Sequence, residues 1–366
     1  MYWIENADSA LLLPTLPAAS VDALVTDPPA GIGFMGKEWD DFRRARNPAD
    51  AGRDSVHGRL SRSGPEYGRR DRDHFIAWLA GILTECRRIM KPGAYGWVWA
   101  IPRTSHWTAM ACEDAGFTVR DVMTHVFGTG FPKSRALLKP AAEHWILVKA
   151  PGELRELRIE ENRIGTEIGG WGGGAAGGAT WTSDNCGLAK AGDARPVMGR
   201  WPANFALSHS DDCTDTCVED CPVRLLDGQS LANGMHSAGV ARVYETDRET
   251  EGATSILSGT SVRKQGHKGD SGGVSRFFYV AKASTKERSA GLPDRNSHPT
   301  VKSVALMRHL IRLVAAPGSL ILDPFTGSGS TAVAALQEGC RFVGIEQDPQ
   351  HVETARLRAQ HALGGE

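Results

Sequence analysis

The chain has 366 residues, enough for two domains or for one large core carrying an inserted subdomain. Its 41% apolar and 23% charged residues are those of a globular protein, and its longest apolar runs fall far short of a membrane span. A formal net charge of −1 does not advertise a nucleic-acid partner, although it leaves room for a local basic patch.

The first residues, MYWIENADSA, lack the basic and apolar regions of a secretory signal, so a cytoplasmic protein is expected. Seven cysteines, unevenly spaced, do not form a secreted disulfide framework in a chain this long. Tyr2 to Asn6 reads as an edge strand, and Ala10 to Leu16 as a first helix or turn. Val21 to Thr26 is a buried strand that delivers Asp27, Pro28 and Pro29 to its carboxyl end, where open α/β sheets keep their sites. The two prolines stiffen the backbone and, lacking amide protons, leave carbonyls as the polar groups. An exocyclic amine carries two hydrogens and needs two acceptors, which Asp27 and the Pro28 carbonyl can supply. The bland alternative is a strand ending in an ordinary Asp/Pro turn.

Residues 40 to 73 hold almost no aliphatic periodicity and read as a long loop. Arg43 to Arg72 contains nine arginines, among them Arg43, Arg44 and Arg46, against four acids, a local net charge of +5. That makes it either a phosphate-contacting segment or a solvated insertion. Helical spacing resumes from His74 to Ile89, with Phe75, Trp78, Leu79, Ile82 and Cys86 on one face. A strand follows at Tyr95 to Ala100, then a covering helix from Ser105 to Gly116, and strands near Phe117 to Val122 and Trp145 to Val148.

The pattern changes at Pro151. Glu153 to Glu160 alternates charge, Gly169 to Gly178 holds seven glycines in ten residues, and Asp227 to Gly273 is polar and rich in Ser and Gly. Within this region His209, Cys213, Cys217 and Cys221 recur at equal gaps of four and form a complete tetrahedral zinc set, which on a helix would share one face. Free thiols or a disulfide are the alternatives. Cys86, Cys112, Cys186 and Cys340 lack such a grouping, and those on covering helices read as core.

Buried-strand character returns at Phe277 to Ala281, and a helix from Ser303 to Val314 precedes the most informative stretch. In Ser319 to Thr331, SLILDPFTGSGST, an apolar strand ends in Asp323-Pro324-Phe325, Gly327 and Gly329 form the turn, and a helix begins. These glycines let the backbone approach a ligand and leave helix N-terminal amides facing it. A second strand, Arg341 to Ile345, ends in Glu346, placed to accept hydrogen bonds from a ribose. A nicotinamide enzyme would share the glycines and the acidic strand end. Asp323 argues against it, since a carboxylate at the strand end suits a cationic amino-acid moiety better than a pyrophosphate. His351 to Leu363 closes the chain as a last helix, whose exposed side is a candidate homodimer face.

Three words together, Thr26-Asp27-Pro28-Pro29, Asn296-x-His298-Pro299-Thr300-x-Lys302 and Asp323-Pro324-Phe325-x-Gly327-x-Gly329, resemble the amino-methyltransferases of DNA. Their order, catalytic word first and cofactor word last, is similar to the beta class of that family. The resemblance covers roughly residues 1 to 148 and 275 to 366. It implies a Rossmann-like α/β fold with a mostly parallel sheet and helices on both faces. Residues 1–148 would form the catalytic half, 149–274 an inserted target-recognition region partly ordered only on DNA, and 275–366 the cofactor half.

It also implies S-adenosylmethionine as methyl donor, with His298, Thr300 and Lys302 holding its carboxylate or ribose, and duplex DNA as substrate. Phe131 and Lys133, within another family-like run, would contact the base and a phosphate. Where these enzymes usually carry a base-stacking aromatic, this chain has Ala30, so Phe34 or Trp39 would supply that surface. An Asp at the head of the catalytic word points to adenine N6, since the cytosine-N4 enzymes more often carry Ser there. A protein or RNA amino-methyltransferase and a non-catalytic DNA-binding relic are the competing readings.

Overall fold

A computed structural model of the chain describes residues 1–32, 40, 69–127, 130, 138–168, 198–210, 212–213, 216–232, 273–281, 285–294, 296, 298 and 301–364. Phe34, Trp39, Arg43, Arg44, Arg46, Phe131, Lys133 and Thr300 lie outside the described residues, as do the glycine tract from 169 to 178 and residues 233–272.

In chain order the first half comprises β1 (Tyr2–Asn6), α1 (Ser9–Leu12), β2 (Ala23–Thr26), α2 (Arg69–Ile89), β3 (Tyr95–Ala100), α3 (Ser105–Asp114), β4 (Thr118–Val126) and β5 (Ala142–Lys149). Next come β6 (Ile164–Ile168), β7 (Met198–Arg200), β8 (Phe205–Ser208), α4 (Pro222–Ala232), β9 (Tyr279–Ala281) and α5 (Thr285–Arg288). The chain ends with α6 (Val304–Val314), β10 (Leu320–Asp323), α7 (Ser330–Gln337), β11 (Arg341–Glu346) and α8 (Pro349–Gly364).

Among the described residues nine strands form one sheet in the order β1-β11-β10-β2-β3-β5-β4-β8-β9. Every pairing in it is parallel except those of β5 with β3 and β4. Alternation along the strands builds two apolar layers. Ala23 and Val25 enter one layer with α6, α7 and α8 residues such as Leu306, Ala332 and Val352, whereas Leu24 enters the other with Phe75 of α2 and Cys112 of α3. Both faces are therefore helix-covered, as a mostly parallel sheet requires. Cys86, Cys112 and Cys340 are buried core residues, as read from sequence for the two on covering helices, and Cys186 lies outside the described residues. Among the described residues no helix is long and apolar enough to cross a membrane.

Several boundaries differ from the sequence reading: β4 runs on to Val126 and β5 starts at Ala142, each longer by three or four residues. Helix α2 begins at Arg69 rather than His74, because its first turn is polar and leaves no apolar period to detect. The division at 149 and 274 is also not one the sheet respects. Phe205–Ser208, inside the supposed insertion, is β8 and pairs in parallel with both β4 and β9. Four residues are too short to show a period, and the partners that make them a strand lie far away in sequence.

Candidate active site

Strands β2, β10 and β11 run in parallel and end in Thr26, Asp323 and Glu346, so Asp27, Asp323 and Glu346 all reach one edge of the sheet. Because β5 runs the other way, its second residue, Glu143, arrives at the same edge, and the register sets it opposite His125 of β4.

Asp27 meets Lys302 there: Lys302 Nζ donates to Asp27 Oδ2 at 2.6 Å and stands 3.9 Å from Glu143 Oε2. The same ammonium lies over the Trp99 ring, 3.9 Å from its centroid. Local sequence fixes this placement. Ser303 caps α6 by accepting from the Leu306 amide, and Glu287 accepts the Val304 amide, so the residue just before the cap is held over the end of β2. A lysine at a helix N-terminus is electrostatically disfavoured. The two carboxylates supply the compensation. Lys302 was expected to hold a cofactor group; its described partners are Asp27, Glu143 and Trp99, contacts that sequence spacing could not supply.

Glu143 is the hub of a buried polar chain. Its Oε2 accepts from Trp99 Nε1 at 2.6 Å, its Oε1 pairs with His125 Nδ1 at 2.8 Å, and His125 Nε2 meets Ser208 Oγ of β8 at 2.7 Å. Burial alone would raise the Glu143 carboxyl, but Lys302, His125 and Trp99 outweigh it and hold it at about 2. Asp27 differs: burial pushes it up to about 6, against the pull of Lys302 and with the repulsion of Glu143. The pair of environments therefore leaves Glu143 a fixed anion and Asp27 titratable near neutrality.

The glycine turn faces this pair across the edge. Gly327 (φ +51°) and Gly329 (φ +82°) both take the left-handed conformation, and Gly329 caps α7. The Gly327 amide donates to Glu346 Oε2 at 2.8 Å, while Glu346 Oε1 accepts the Asp348 amide at 2.9 Å. A Cβ on Gly327 would come 3.1 Å from Nε2 of His298, whose ring lies edge-on to His351 with centroids 4.5 Å apart. His298 is thus beside the turn, and burial followed by the charges of His351, Lys302 and Arg358 drives its pKa down to about 3, a neutral imidazole. Pro324 is buried, its carbonyl taken by Ser9 Oγ, and Phe325 packs against Trp78 of α2 with ring centroids 5.7 Å apart.

Asp323 does not play the part expected of it. At 1% exposure its Oδ1 accepts from Thr26 Oγ1 at 2.8 Å and from the Phe325 amide at 3.0 Å. It clamps β10 to β2 and shapes the turn instead of offering its charge to a ligand. Burial raises its pKa to about 7, against hydrogen bonds from Thr331, Thr26 and the Phe325 amide. Gly329 is likewise a packing glycine, since a Cβ there would meet Ala355 Cα and Cβ of α8 at 2.9 Å. Gly329→Ala is expected to destabilise the fold by about 2–4 kcal/mol, combining left-handed backbone strain with a clash against helix backbone. A denaturant midpoint indistinguishable from that of the parent chain would contradict this.

Arg358 of α8, which the sequence reading passed over, is fully buried and donates through Nη1 to the Ser328 carbonyl at 2.6 Å and to Ser330 Oγ at 3.3 Å, bracing the turn from below. His125 and Trp99 were also passed over as site residues, and Glu143 was read only as part of a family-like run, Leu138 to His144, that would border the target pocket. A Glu at the head of the strand AEHWILVK, just before the apolar run Trp145 to Val148, is the one signal that marked them. Beyond the catalytic word, Ala30 gives its carbonyl to Thr104 Oγ1 at 2.9 Å, and Asp40 accepts the Gly31 amide at 2.6 Å, so the chain turns away from Pro29 along a pinned path.

The sequence profile of a DNA methylase family, N6_N4_Mtase, matches residues 21–357. The chain belongs to this N6/N4 DNA methylase family. Shorter matches link it to YubD of Escherichia coli (strain K12), provisionally named a methylase, at 48% identity over 61 residues. A second links it to the type II methyltransferase M2.DpnII of Streptococcus pneumoniae, at 41% over 63 residues. Each match spans 17% of this chain and only 27% and 24% of those relatives. Among solved structures, the cytosine-N4-specific PvuII DNA methyltransferase aligns over 100% of this chain and 93% of its own, at 14% identity and a TM-score of 0.51, a likeness of fold. The family's Rossmann-like architecture is thus the one observed here, with the Asp27-Pro28-Pro29 word first and the glycine turn last.

Proposed function

We propose that the protein transfers a methyl group from S-adenosylmethionine to the N6 amine of adenine at a specific site in duplex DNA. The observation that carries this reading is the carboxylate of Asp27, followed by two prolines and held by Lys302 2.6 Å away, on the same sheet edge as the glycine turn and Glu346.

The residues present fit the cofactor. Glu346 is half-buried at the strand end beside Gly327, and each of its oxygens has lone-pair capacity left for a ribose hydroxyl after the amide it already accepts. Gly327, in its left-handed backbone, has no side chain of its own, and the imidazole of His298 lies where a Cβ there would reach, 3.1 Å from Nε2. When bound, S-adenosylmethionine supplies an electrophilic methyl group on a sulfonium.

The chain's own work is on the amine. A flipped base, released from its stack at a cost of a few kcal/mol, presents its exocyclic nitrogen to Asp27 and the Pro28 carbonyl. Lys302 occupies Oδ2, leaving Oδ1 as the acceptor of one hydrogen while the Pro28 carbonyl takes the other. The nitrogen lone pair is then directed outward for attack, and the proton is lost after transfer. Asp27 must be ionised for this, which Lys302 favours above a pH of about 6. The basic segment from Arg43 to Arg72, offered as a phosphate contact, lies largely outside the described residues. Its +5 charge supports a duplex DNA partner on composition alone.

Duplex DNA should therefore be treated with methyl-labelled cofactor, digested, and its nucleosides separated by mass spectrometry. Labelled N6-methyl-2′-deoxyadenosine is the expected product. N4-methylcytosine would overturn the base and leave the chemistry standing, and label found only in RNA or protein would overturn the substrate class.

A further inference from the structure

The four soft ligands noted in the sequence converge in space. His209 Nδ1 and the sulfurs of Cys213, Cys217 and Cys221 all lie within 4.8 Å of one another, the one such group found among the described residues. Nδ1 stands 3.3 Å from Cys217 Sγ and 3.5 Å from Cys221 Sγ. Tetrahedral zinc, with Zn–S near 2.3 Å and Zn–N near 2.0 Å, separates neighbouring ligand atoms by about 3.5–3.8 Å. The two nitrogen–sulfur separations already match such edges, and all four ligand atoms lie close enough for a small closure to complete the set. A disulfide would bring two sulfurs to about 2.05 Å, and all three cysteines are free.

The helical stripe suggested by the equal spacing is not how this is achieved. On one helix His209 and Cys221 would stand about 18 Å apart, too far to share an ion. Instead His209 follows the last residue of β8, Cys213 sits in a turn closed by its amide on the Ser210 carbonyl, and Cys221 immediately precedes α4. The backbone amides of Ser210 and Arg224 are directed at the Cys221 sulfur, and Arg224 Nη1 holds the Cys217 carbonyl at 3.0 Å. These donors and the start of α4 suit a cluster that carries net negative charge once three thiolates meet one divalent ion.

The surroundings supply a reason for the ion. Among the described residues Cys213 and Cys221 are buried with only Leu207 and Val223 at the centre of a small third core, under Phe205, Val280 and their neighbours. So few apolar side chains give limited stabilisation, which a bound ion would supplement. We propose that His209, Cys213, Cys217 and Cys221 bind one structural zinc ion that staples β8 to α4. Four protein ligands leave no open position, so the ion takes no part in methyl transfer. It fixes the end of β8, where Ser208 meets His125.

The test uses the full chain without a histidine tag, purified under reducing conditions with no added metal. About one equivalent of zinc per chain is expected by elemental analysis. Cobalt(II) exchanged into the site should give the strong visible d–d bands of a tetrahedral thiolate complex. Chelation should lower the thermal midpoint, and zinc but not magnesium should restore it. Cys217→Ser, at the half-exposed ligand, should lose both zinc and the cobalt spectrum, whereas Cys340→Ala should keep them. Should Cys217→Ser fail to fold, the cobalt spectrum of the parent chain decides. Reduced, folded protein with less than about 0.2 equivalents of zinc, zinc content indifferent to Cys217→Ser, or a native disulfide among these cysteines would each overturn the proposal.

Discussion

Asp27→Ala is expected to lower methyl transfer by about 10²–10⁴-fold, the range in which a positioned acid–base or acceptor group contributes, while cofactor affinity stays near that of the parent chain. The asymmetry follows from position. Asp27 lies at the end of β2 and pairs with Lys302, whereas the glycine turn and Glu346 belong to β10 and β11 and are braced by Asp323 and Arg358. The variant should also fold, because the Lys302 ammonium, stripped of Asp27, still has Glu143 at 3.9 Å and the Trp99 ring beneath it. Single-turnover transfer and calorimetric titration of S-adenosylmethionine separate the two effects. Loss of cofactor binding in step with activity would move Asp27 out of the amine's reach and into the cofactor site. Near-normal transfer would remove it from the reaction.

Lys302→Met should raise the pH below which activity fails. In the intact site the Asp27 carboxyl titrates at about 6, pushed up by burial and by Glu143 and pulled down by Lys302. Deleting the ammonium removes the only one of these influences that favours the anion, so the folded-state pKa rises. Activity that depends on carboxylate is present above that pKa and is lost as pH falls through it, so the acid limb of kcat/KM moves upward. A neighbouring cation typically depresses an Asp by about 1–3 units, and a displacement of that size is expected. Activity at neutral pH then falls because most molecules hold a protonated Asp27. Lys302→Arg keeps the charge and should leave the limb near its original position, which distinguishes titration of Asp27 from mere loss of packing. An unmoved limb in Lys302→Met would show that Asp27 is not the group whose ionisation activity requires.

These two expectations also show how a resemblance of motifs and a reading of contacts divide the work. The upstream word containing His298 and Lys302 was assigned as a unit to the cofactor. The fold splits it: His298 stays beside Gly327, while Lys302, held by the Ser303 cap of α6, crosses to Asp27. Four residues of separation are enough for this, because a chain entering a helix turns sharply at the cap. The distinction is what the Lys302→Met experiment reads, since a lysine on the cofactor would affect binding and a lysine on Asp27 the pH dependence of transfer.

What the sequence determined by itself is local. A short apolar, aromatic run after the Pro92-Gly93 break placed Tyr95–Ala100 as a strand, the period of 3.6 found α6 and α8 within a residue or two, and Asp27, Gly327, Gly329 and Glu346 were legible because strand ends, prolines and glycines carry their geometry with them. The four zinc-type ligands were legible as a set for the same reason. Tertiary structure alone decided that β8 belongs to the main sheet, that Asp323 turns inward onto Thr26, that Glu143, His125 and Ser208 link three strands through hydrogen bonds, and that His209 meets Cys221 at the end of β8 instead of along a helix. Each of these depends on partners between 12 and 297 positions away in the chain. A carboxylate's burial, its charge state and the direction of its hydrogen bonds are properties of those distant neighbours and have no local period to betray them.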